Sequence, residues 1–259
     1  MIDDATIAFA HRLADTAGAV IRPYFRQRIA VDDKGAAKGA VFDPVTAADK
    51  GAEAAIRAVI ERERPLDGIL GEEYGERAGT SGLRWVLDPV DGTRAFINGR
   101  HEWGTLIALE KDFRPVLGLI DQPVLGERFL GVNGQASFNG APIAARECAR
   151  VEDAVLCCTH PYAYFDAEER AGFRRVSQAV RMSRFGGDCY IFAMLAMGFA
   201  DVIVESSFHR WDVAALIPLV EGAGGVITDW KGGDASEGGP CVASGDKRVH
   251  AQVLKLLGG

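Results

Sequence analysis

The first part of the chain alternates hydrophobic and polar residues with helical spacing. Between residues 4 and 26, apolar side chains recur three or four positions apart, which predicts an amphipathic helix. They are Phe9, Leu13, Ala17, Val20, Ile21 and Tyr24. Pro23 falls late in this pattern and should kink or end the helix. A second helix is predicted from about Thr46, with Asp49 three positions later as in a capping box, to a point before Pro65.

From residue 68 onward the pattern changes to short apolar runs between turn residues, which predict strands. We place these strands at residues 68–71, 84–87, 106–109, 116–120, 127–132, 154–158 and 201–205. Asn139-Gly140 predicts a turn. Further helices are predicted at about 187–199 and at 212–223, the second ended by Gly224-Gly225. Because strands and helices do not alternate regularly, the pattern favours a layered α+β fold over a doubly wound sheet.

Composition excludes several classes of protein. The 259 residues are 48% hydrophobic and 25% charged, as in an ordinary globular protein. The net charge of −7 and the lack of a basic run argue against a nucleic acid or an anionic membrane as partner. No apolar stretch reaches the roughly 18 residues of a membrane span, and the acidic N-terminus differs from a signal peptide. Five cysteines without a Cys-x-x-Cys motif are typical of reduced thiols, so we expect a cytoplasmic protein.

Acidic residues follow two of the predicted strands directly. Glu72 and Glu73 come after one strand, and Asp88 and Asp91 come after the next, while Asp212 opens a later predicted helix. Each carboxylate has an ordinary structural interpretation when it is taken alone. The glutamates could lie in a solvated loop, the first two aspartates could form a turn, and Asp212 could cap its helix.

The combination of these carboxylates points to a metal site. Strands that neighbour each other in one sheet would bring Glu72, Asp88 and Asp91 together, with the Val90 carbonyl also available. Several carboxylates in one pocket repel one another unless cations neutralise them. Oxygen ligands favour a hard ion such as Mg²⁺. A metal beside backbone N–H groups that can hold phosphate is typical of metal-assisted phosphoester hydrolysis.

The motifs resemble those of the inositol monophosphatase family, in the same order and over nearly the whole chain. They are Asp43-Pro44-Val45-Thr46-Ala47-Ala48-Asp49, Gly71-Glu72-Glu73, Trp85-Val86-Leu87-Asp88-Pro89-Val90-Asp91-Gly92-Thr93 and Trp211-Asp212-Val213-Ala214-Ala215. The resemblance implies the layered α-β-α-β-α sandwich of the inositol monophosphatase and fructose-1,6-bisphosphatase type. It also implies a metal-bearing lobe at residues 1–150 and a smaller lobe at 151–259, which closes the active site within one structural unit.

The same resemblance implies a role for each motif residue. Glu72, Asp88 and the Val90 carbonyl match the ligands of a first Mg²⁺, and Asp88, Asp91 and Asp212 match those of a second. Asp49 and Glu72 match positions for a further, weaker ion, so two or three ions are expected. Thr93, oriented by Asp49, matches the hydroxyl that positions the attacking water. The N–H groups of Gly92 and Thr93 would hold phosphate, and Lys38 aligns with a lysine near the metals.

Within the family, several stretches look most like histidinol-phosphate phosphatases. These are Gly92-Thr93-Arg94-Ala95-Phe96, Trp103-Gly104-Thr105-Leu106-Ile107, Gly186-Gly187-Asp188-Cys189-Tyr190 and residues 212–218. Asp188 and Glu205 match substrate-contacting positions and would suit the cationic leaving group of L-histidinol phosphate. Alternatively, Asp188 caps a helix, and Arg94 contacts either phosphate or an acid. Asn98–Glu102 and Thr159–Tyr162 depart from the expected pattern and leave the substrate open.

Two alternatives to histidinol phosphatase remain open from the sequence. One keeps the mechanism and changes the substrate to myo-inositol 1-phosphate. The other is a regulatory binding protein on the same fold, which would predict lost ligands and a basic face. The resemblance further implies a homodimer and inhibition by Li⁺. His11 and His250 are expected on helix surfaces.

Overall fold

The computed structural model describes residues 1–35 and 44–258. In these residues the helices are α1 (Asp4–Ile21), α2 (Ala47–Glu63), α3 (Thr93–Ile97), α4 (Pro161–Tyr164), α5 (Ala167–Ala179), α6 (Tyr190–Ala196), α7 (Arg210–Val213), α8 (Leu216–Gly222) and α9 (Lys247–Gly258). The strands are β1 (Val31–Asp33), β2 (Pro44–Thr46), β3 (Gly68–Gly71), β4 (Gly75–Arg77), β5 (Leu83–Asp91), β6 (Gly104–Lys111), β7 (Arg114–Gln122), β8 (Glu127–Val132), β9 (Gln135–Phe138), β10 (Ala141–Ile143), β11 (Val155–Cys158), β12 (Met182–Phe185), β13 (Val202–Phe208), β14 (Val226–Asp229) and β15 (Gly239–Ser244).

Side-chain caps begin the first two helices. The Asp3 side chain accepts a hydrogen bond from the Thr6 N–H and starts α1. Pro23 cannot continue the helix, so α1 ends at Ile21 and passes into one 3₁₀ turn, as the sequence indicates. Thr46 and Asp49 form the predicted capping box at the start of α2.

The larger sheet has eight strands in the order β10-β9-β8-β7-β6-β5-β3-β4. The pair β3–β5 is parallel, and β5–β6 is antiparallel. Alternate residues on each strand face opposite sides of the sheet. Trp85 and Leu87 therefore pack with α1 and α2, whereas Val86 between them packs with α6 and α8.

The smaller sheet has five strands in the order β12-β11-β13-β15-β14. Ile203 and Ala243 pack against the same cluster as α6 and α8. Val202 and Val242 face the other side, where α5 and α9 cover them. The layers therefore run from α1/α2 through the large sheet, α6/α8 and the small sheet to α5/α9. This order confirms the α-β-α-β-α sandwich.

Two predicted helices differ from the structure. The single helix predicted at 212–223 is two short helices, α7 and α8, because Pro218 has no N–H to donate to the Ala214 carbonyl. The helix predicted at 187–199 is only α6, since Gly186, Gly187 and Asp188 all have positive φ. Asp188 also does not cap α6, whose N-cap is Cys189, so the capping interpretation is wrong.

The histidines expected at the surface are not exposed. His250 is only 5% exposed and lies within hydrogen-bond distance of Thr228 and Ser244, at 3.0 and 3.1 Å. His11 is half-buried beside Arg128. Both faces are covered by neighbouring elements that the helical pattern alone did not reveal. Among the helices of the described residues, none combines the length and hydrophobicity that crossing a membrane requires.

Candidate active site

Three carboxylates from different parts of the chain meet at the carboxyl end of β5. Asp88 and Asp91 lie among the last four residues of that strand, and Asp212 lies on α7. One oxygen from each lies within 4.8 Å of the others. Asp88 is buried, at 2% exposed, whereas Asp91 and Asp212 are partly exposed. The fold thus joins a motif of the large sheet with a motif that begins more than 100 residues later in the chain.

The backbone between the two aspartates is fixed by its own hydrogen bonds. The pairing of β5 with β6 becomes irregular between Asp88 and Asp91. The Val90 N–H donates to Asp88 Oδ1 (3.1 Å), and Thr105 Oγ1 donates to the Pro89 carbonyl (2.8 Å). Asp91 Oδ2 accepts from the Cys189 N–H at 2.6 Å. Hydrogen bonds from backbone N–H groups therefore fix the orientation of each carboxylate before any ligand binds.

Glu72 and Glu73 follow β3, the parallel neighbour of β5, as the sequence predicts. Their side chains are only 20% and 3% exposed, so the interpretation as a solvated loop is wrong. Lys34 Nζ lies 2.6 Å from Glu72 Oε1 and 3.0 Å from Glu73 Oε1. This lysine supplies a cation to the site, and sequence reasoning missed it.

The turn that carries these glutamates rests on a buried acid of α2. Glu53, fully buried, accepts from the Glu73 N–H (2.8 Å) and the Tyr74 N–H (3.2 Å). Arg57 Nε donates to Glu53 at 2.7 Å and also binds the Gly75 carbonyl. Gly71 permits this contact, since a Cβ there would lie 2.0 Å from Glu53 Oε1.

The electrostatics of the cluster favour a bound cation. Burial, with the neighbouring carboxylates adding to it, raises the pKa of Asp88 well above its usual range. Burial and Asp212 raise the pKa of Asp91 to about 7. Burial also raises the pKa of Glu72 to about 7, against the opposing effect of Lys34. Buried oxygen donors that repel one another in this way fit a hard divalent ion such as Mg²⁺.

A hydroxyl and a carboxylate lie beside the cluster. Thr93 Oγ1 lies 3.2 Å from Asp49 Oδ1 and 3.0 Å from the Val90 carbonyl. Asp49, 1% exposed, also accepts from the Thr46 N–H at 2.9 Å, so it both caps α2 and contacts Thr93. Gly92 has φ +84°, and a Cβ there would lie 3.0 Å from the Asp188 Cβ. Only glycine allows this backbone to approach Asp188 so closely.

The cluster opens into a cavity of about 660 Å³. Asp188 and Glu205 also line it, together with Arg94 and Tyr164. Burial and Asp91 raise the pKa of Asp188 to about 8, although Arg94 acts in the opposite direction. Burial raises the pKa of Glu205 to about 8 even though Glu205 accepts from the Thr159 N–H at 2.5 Å. Arg94 lies over the Tyr164 ring, 4.9 Å from its centroid.

Of the two segments that depart from the family pattern, one contributes Thr159 to the lining of this cavity and the other, residues 98–102, contributes none. Thr159 lines it and binds Glu205. In the other segment, Arg100 pairs with Glu102 at 2.6 Å, and His101 contacts the Tyr190 ring. Lys38, the remaining predicted substrate residue, lies outside the described residues.

Sequence reasoning missed several residues that the fold brings to this cavity. Besides Lys34 they include Tyr164, Ser206, Ser207 and Phe208. Their positions depend on how the second sheet and α4 approach the first lobe. A pattern of hydrophobic residues carries no signal for that approach.

Comparison with known proteins agrees with this geometry. The model of the inositol monophosphatase family matches residues 3–258. The bifunctional phosphatase IMPL2, chloroplastic, of Arabidopsis thaliana is 42% identical over 98% of this chain and 75% of its own length. The histidinol-phosphatase of Chlorobaculum parvum is 34% identical over 97% of this chain and 96% of its own.

A solved structure, an inositol monophosphatase from Zymomonas mobilis, is 43% identical and superposes with a TM-score of 0.89. The match covers 99% of this chain and 98% of that one. Members of the family are in general Mg²⁺-dependent phosphatases. Family model, relatives and fold agree over the whole length, and the chain therefore belongs to the inositol monophosphatase family and is a phosphatase.

Proposed function

We propose that this phosphatase hydrolyses L-histidinol phosphate to L-histidinol with Mg²⁺, as a step of histidine biosynthesis. One observation carries the proposal. A single cavity is lined both by the cluster of Asp88, Asp91 and Asp212 and by two further acids, the partly buried Asp188 and the buried Glu205. The first group suits metal ions, and the second suits a cationic leaving group.

The proposed metal ligands fall into two sets that share Asp88. Glu72, Asp88 and the Val90 carbonyl would hold one Mg²⁺, and Asp88, Asp91 and Asp212 would hold another. Asp49 and Glu72 lie where a third, weaker ion would find carboxylates. Bound Mg²⁺ lowers the pKa of a water and offsets negative charge on the leaving oxygen.

The chain's own groups orient the reactants. Thr93 Oγ1 would hold the attacking water, because Asp49 and the Val90 carbonyl fix the direction of the hydroxyl. A proton from that water can pass through Thr93 to Asp49 Oδ1, 3.2 Å away. Glu72 faces the same space and would share in activating the water. The N–H groups of Gly92 and Thr93, at the start of α3, would hold the phosphate.

The leaving group would lie between Asp188 and Glu205. Glu205 is buried and Asp188 is partly buried, and hydrogen bonds to charged partners are about twice as strong as neutral ones. An ammonium or imidazolium group would supply positive charge to Glu205 and add to the charge that Arg94 and Arg100 bring near Asp188. Arg94 would bind phosphate from its position on α3, above the Tyr164 ring. Lys38 remains a proposed contact on the basis of the resemblance alone.

The test compares phosphate release from histidinol phosphate and from myo-inositol 1-phosphate, with Mg²⁺, for wild type, Asp188→Ala and Glu102→Gln. Wild type should prefer histidinol phosphate. Asp188→Ala should reduce that preference about 10- to 100-fold, the value of one hydrogen bond between charged groups. Glu102→Gln is the control, since it removes a carboxylate that influences Asp188 but pairs with Arg100 and does not line the cavity. An unchanged preference in Asp188→Ala would remove the proposed cation site.

The alternative substrate is myo-inositol 1-phosphate. The 43% identical structure from Zymomonas mobilis is named an inositol monophosphatase, and Glu205 could accept hydrogen bonds from sugar hydroxyls as well as from a cation. Equal or higher kcat/KM for the inositol ester in wild type would favour this reading.

We also propose that Li⁺ inhibits the enzyme by competing at the ion held by Asp91 and Asp212. Phosphate release measured in LiCl should fall relative to the same concentration of KCl, which controls for ionic strength. Activity that is insensitive to high Li⁺ would contradict the assignment of that ion.

The remaining proposals concern assembly and location. We propose a cytoplasmic homodimer in which residues 1–150 and 151–259 act as two lobes of one unit. All five cysteines lie in the described residues and form no disulfide, which suits a reducing compartment. Light scattering on a sizing column should give twice the 27.8 kDa of one chain.

A further inference from the structure

A buried glutamate outside the cavity joins two arginines from distant parts of the chain. Glu110, on β6, is fully buried. Its Oε1 accepts from Arg210 Nε at 2.8 Å, and its Oε2 accepts from Arg84 Nε at 2.8 Å. Both arginine side chains are largely buried, at 11% and 14% exposure. Burying these three charged side chains costs desolvation energy, so the cluster is weak evidence for a contribution to stability alone.

Arg210 is attached to the large sheet by more than this pair. Its Nη2 donates to the Phe113 carbonyl at 2.6 Å, in the turn between β6 and β7. Its Nη1 binds Glu237, which is 80% exposed. The guanidinium thus spans from the segment after β13 to a strand and a turn of the other sheet.

The same arginine is the first residue of α7, the helix that carries Asp212. Four residues cannot form a stable helix by themselves, because one turn does not repay the cost of nucleation. The location of α7 must therefore come from its contacts. Asp212 Oδ2 accepts from the His209 N–H at 2.7 Å, which fixes the carboxylate relative to α7 but not relative to β5.

We propose that the Glu110–Arg210 pair positions Asp212 against Asp88 and Asp91, and so sets the Mg²⁺ affinity of the site that these three carboxylates form. Arg210 is a positioning residue that acts through Asp212. This inference rests on the proposed role of Asp212 as a metal ligand. Asp88 and Asp91 are held without α7, since β5 pairs with β6 at both residues and their carboxylates accept from the Val90 and Cys189 N–H groups.

Arg84 provides a matched control within the same cluster. It binds the other oxygen of Glu110, and its removal leaves that buried carboxylate with one arginine, as removal of Arg210 does. Arg84 lies on β5, however, and among the described residues it reaches α7 only through partners it shares with Arg210: Glu110 and Phe113, whose ring lies 4.8 Å from its guanidinium. Glu237→Gln is a second control, because an ion pair with an exposed partner contributes little to stability or to the position of Arg210.

The experiment is calorimetric titration of Mg²⁺ into the metal-free protein, together with its melting temperature. The variants are Arg210→Met, Arg210→Lys, Arg84→Met, Glu237→Gln and Asp212→Asn. We expect Arg210→Met to weaken Mg²⁺ binding at least tenfold. Arg84→Met should lower the melting temperature by about as much as Arg210→Met does. It should nevertheless keep Mg²⁺ affinity within threefold of wild type. Glu237→Gln should change neither quantity.

Arg210→Lys keeps the positive charge but loses the guanidinium group that binds Glu110, Glu237 and the Phe113 carbonyl together. It should weaken Mg²⁺ binding by a factor between those of wild type and Arg210→Met. It decides the question if Arg210→Met fails to fold. Equal Mg²⁺ affinity in the Arg210 and Arg84 variants would overturn the positioning role. Asp212→Asn separates the role of Arg210 from the role of Asp212 as a metal ligand. If Asp212→Asn binds Mg²⁺ as tightly as wild type does, Asp212 is not a metal ligand. If Asp212→Asn weakens Mg²⁺ binding and the Arg210 variants do not, only the role of Arg210 is rejected.

Discussion

At the scale of single residues, the site is an arrangement of acids that the fold holds together against their mutual repulsion. Glu53 fixes the turn behind Glu72, and the Cys189 N–H fixes Asp91. Lys34 is the one of these groups that supplies positive charge. Burial acts to lower the pKa of Lys34, but Glu72 and Glu73 outweigh it and raise that pKa above its usual value. The lysine is therefore positively charged at every pH at which these carboxylates are ionised.

Lys34 and Mg²⁺ should compete for Glu72. Lys34→Met removes the ammonium 2.6 Å from Glu72 Oε1, so the Mg²⁺ concentration for half-maximal activity should fall about tenfold, since unlike charges at this distance interact strongly. The metal-free variant should melt at a lower temperature because two buried carboxylates lose their partner. Lys50→Met, which breaks an exposed pair with Asp32, is the control. A higher Mg²⁺ requirement in Lys34→Met would show that the lysine assists the metal instead.

At the scale of elements, the helices between the sheets lie close to the strand backbones. A Cβ on Gly118 of β7 would lie 2.0 Å from the Ala215 carbonyl oxygen, and one on Gly131 of β8 would lie 2.2 Å from backbone atoms of Pro218 and Leu219. These two glycines allow α8 to rest directly on the large sheet. Asp212 lies just before this helix, so the same contact helps to define the site.

Gly118→Ala should therefore cost about 3 kcal/mol of unfolding free energy, the upper end of the usual range for overpacking. Denaturant unfolding measures it. Gly51→Ala is the control, because that glycine lies inside α2 and its new Cβ would meet only the Val20 side chain, at 3.2 Å. Alanine should be neutral or slightly stabilising there. Equal stability of the two variants would mean that α8 can move away from the sheet at little cost.

Local pattern predicts some of these elements and not others. The strands from β5 to β8 were predictable because each is an apolar run between turns, and α2 was predictable from its capping box. The sequence did not predict α5, whose buried residues are only Gly172, Phe173 and Val176 among many charges. It also did not predict β12, which is mostly exposed. These elements exist because other layers cover or pair them.

At the scale of the whole molecule, the acidic site lies where the two sheets approach each other. Neighbouring strand ends made the meeting of Glu72 with Asp88 and Asp91 predictable from sequence. The addition of Asp212, Asp188 and Glu205 followed only from family resemblance, because more than 90 residues separate them from the first motif. Neither the pattern of strand ends nor the family resemblance identified Lys34.

The layers also predict how stability depends on pH. His250 joins α9 to the small sheet, and burial lowers its pKa to about 4 from 6.5. The unfolded chain therefore binds a proton in this range that the folded chain does not bind. Stability should be complete above about pH 6.5 and fall by about 2–3 kcal/mol as the pH drops to 4. His250→Gln should lose this component of the pH dependence in denaturant unfolding. An identical pH dependence in the variant would assign the effect to other groups.

The central claim is that the cluster around Asp88 binds the Mg²⁺ with which this chain hydrolyses a phosphate ester. Phosphate release from histidinol phosphate by wild type and Asp88→Asn, with Mg²⁺ and with EDTA, tests it most directly. Asp112→Asn, an exposed change of the same kind, is the control. Wild type should depend on Mg²⁺, and Asp88→Asn should lose about a thousandfold in rate, since a metal contributes several kcal/mol. Its metal-free melting temperature should be no lower than that of wild type, because repulsion from Asp91 and Asp212 is relieved. A near-normal rate in Asp88→Asn, or full wild-type activity in EDTA, would contradict the account.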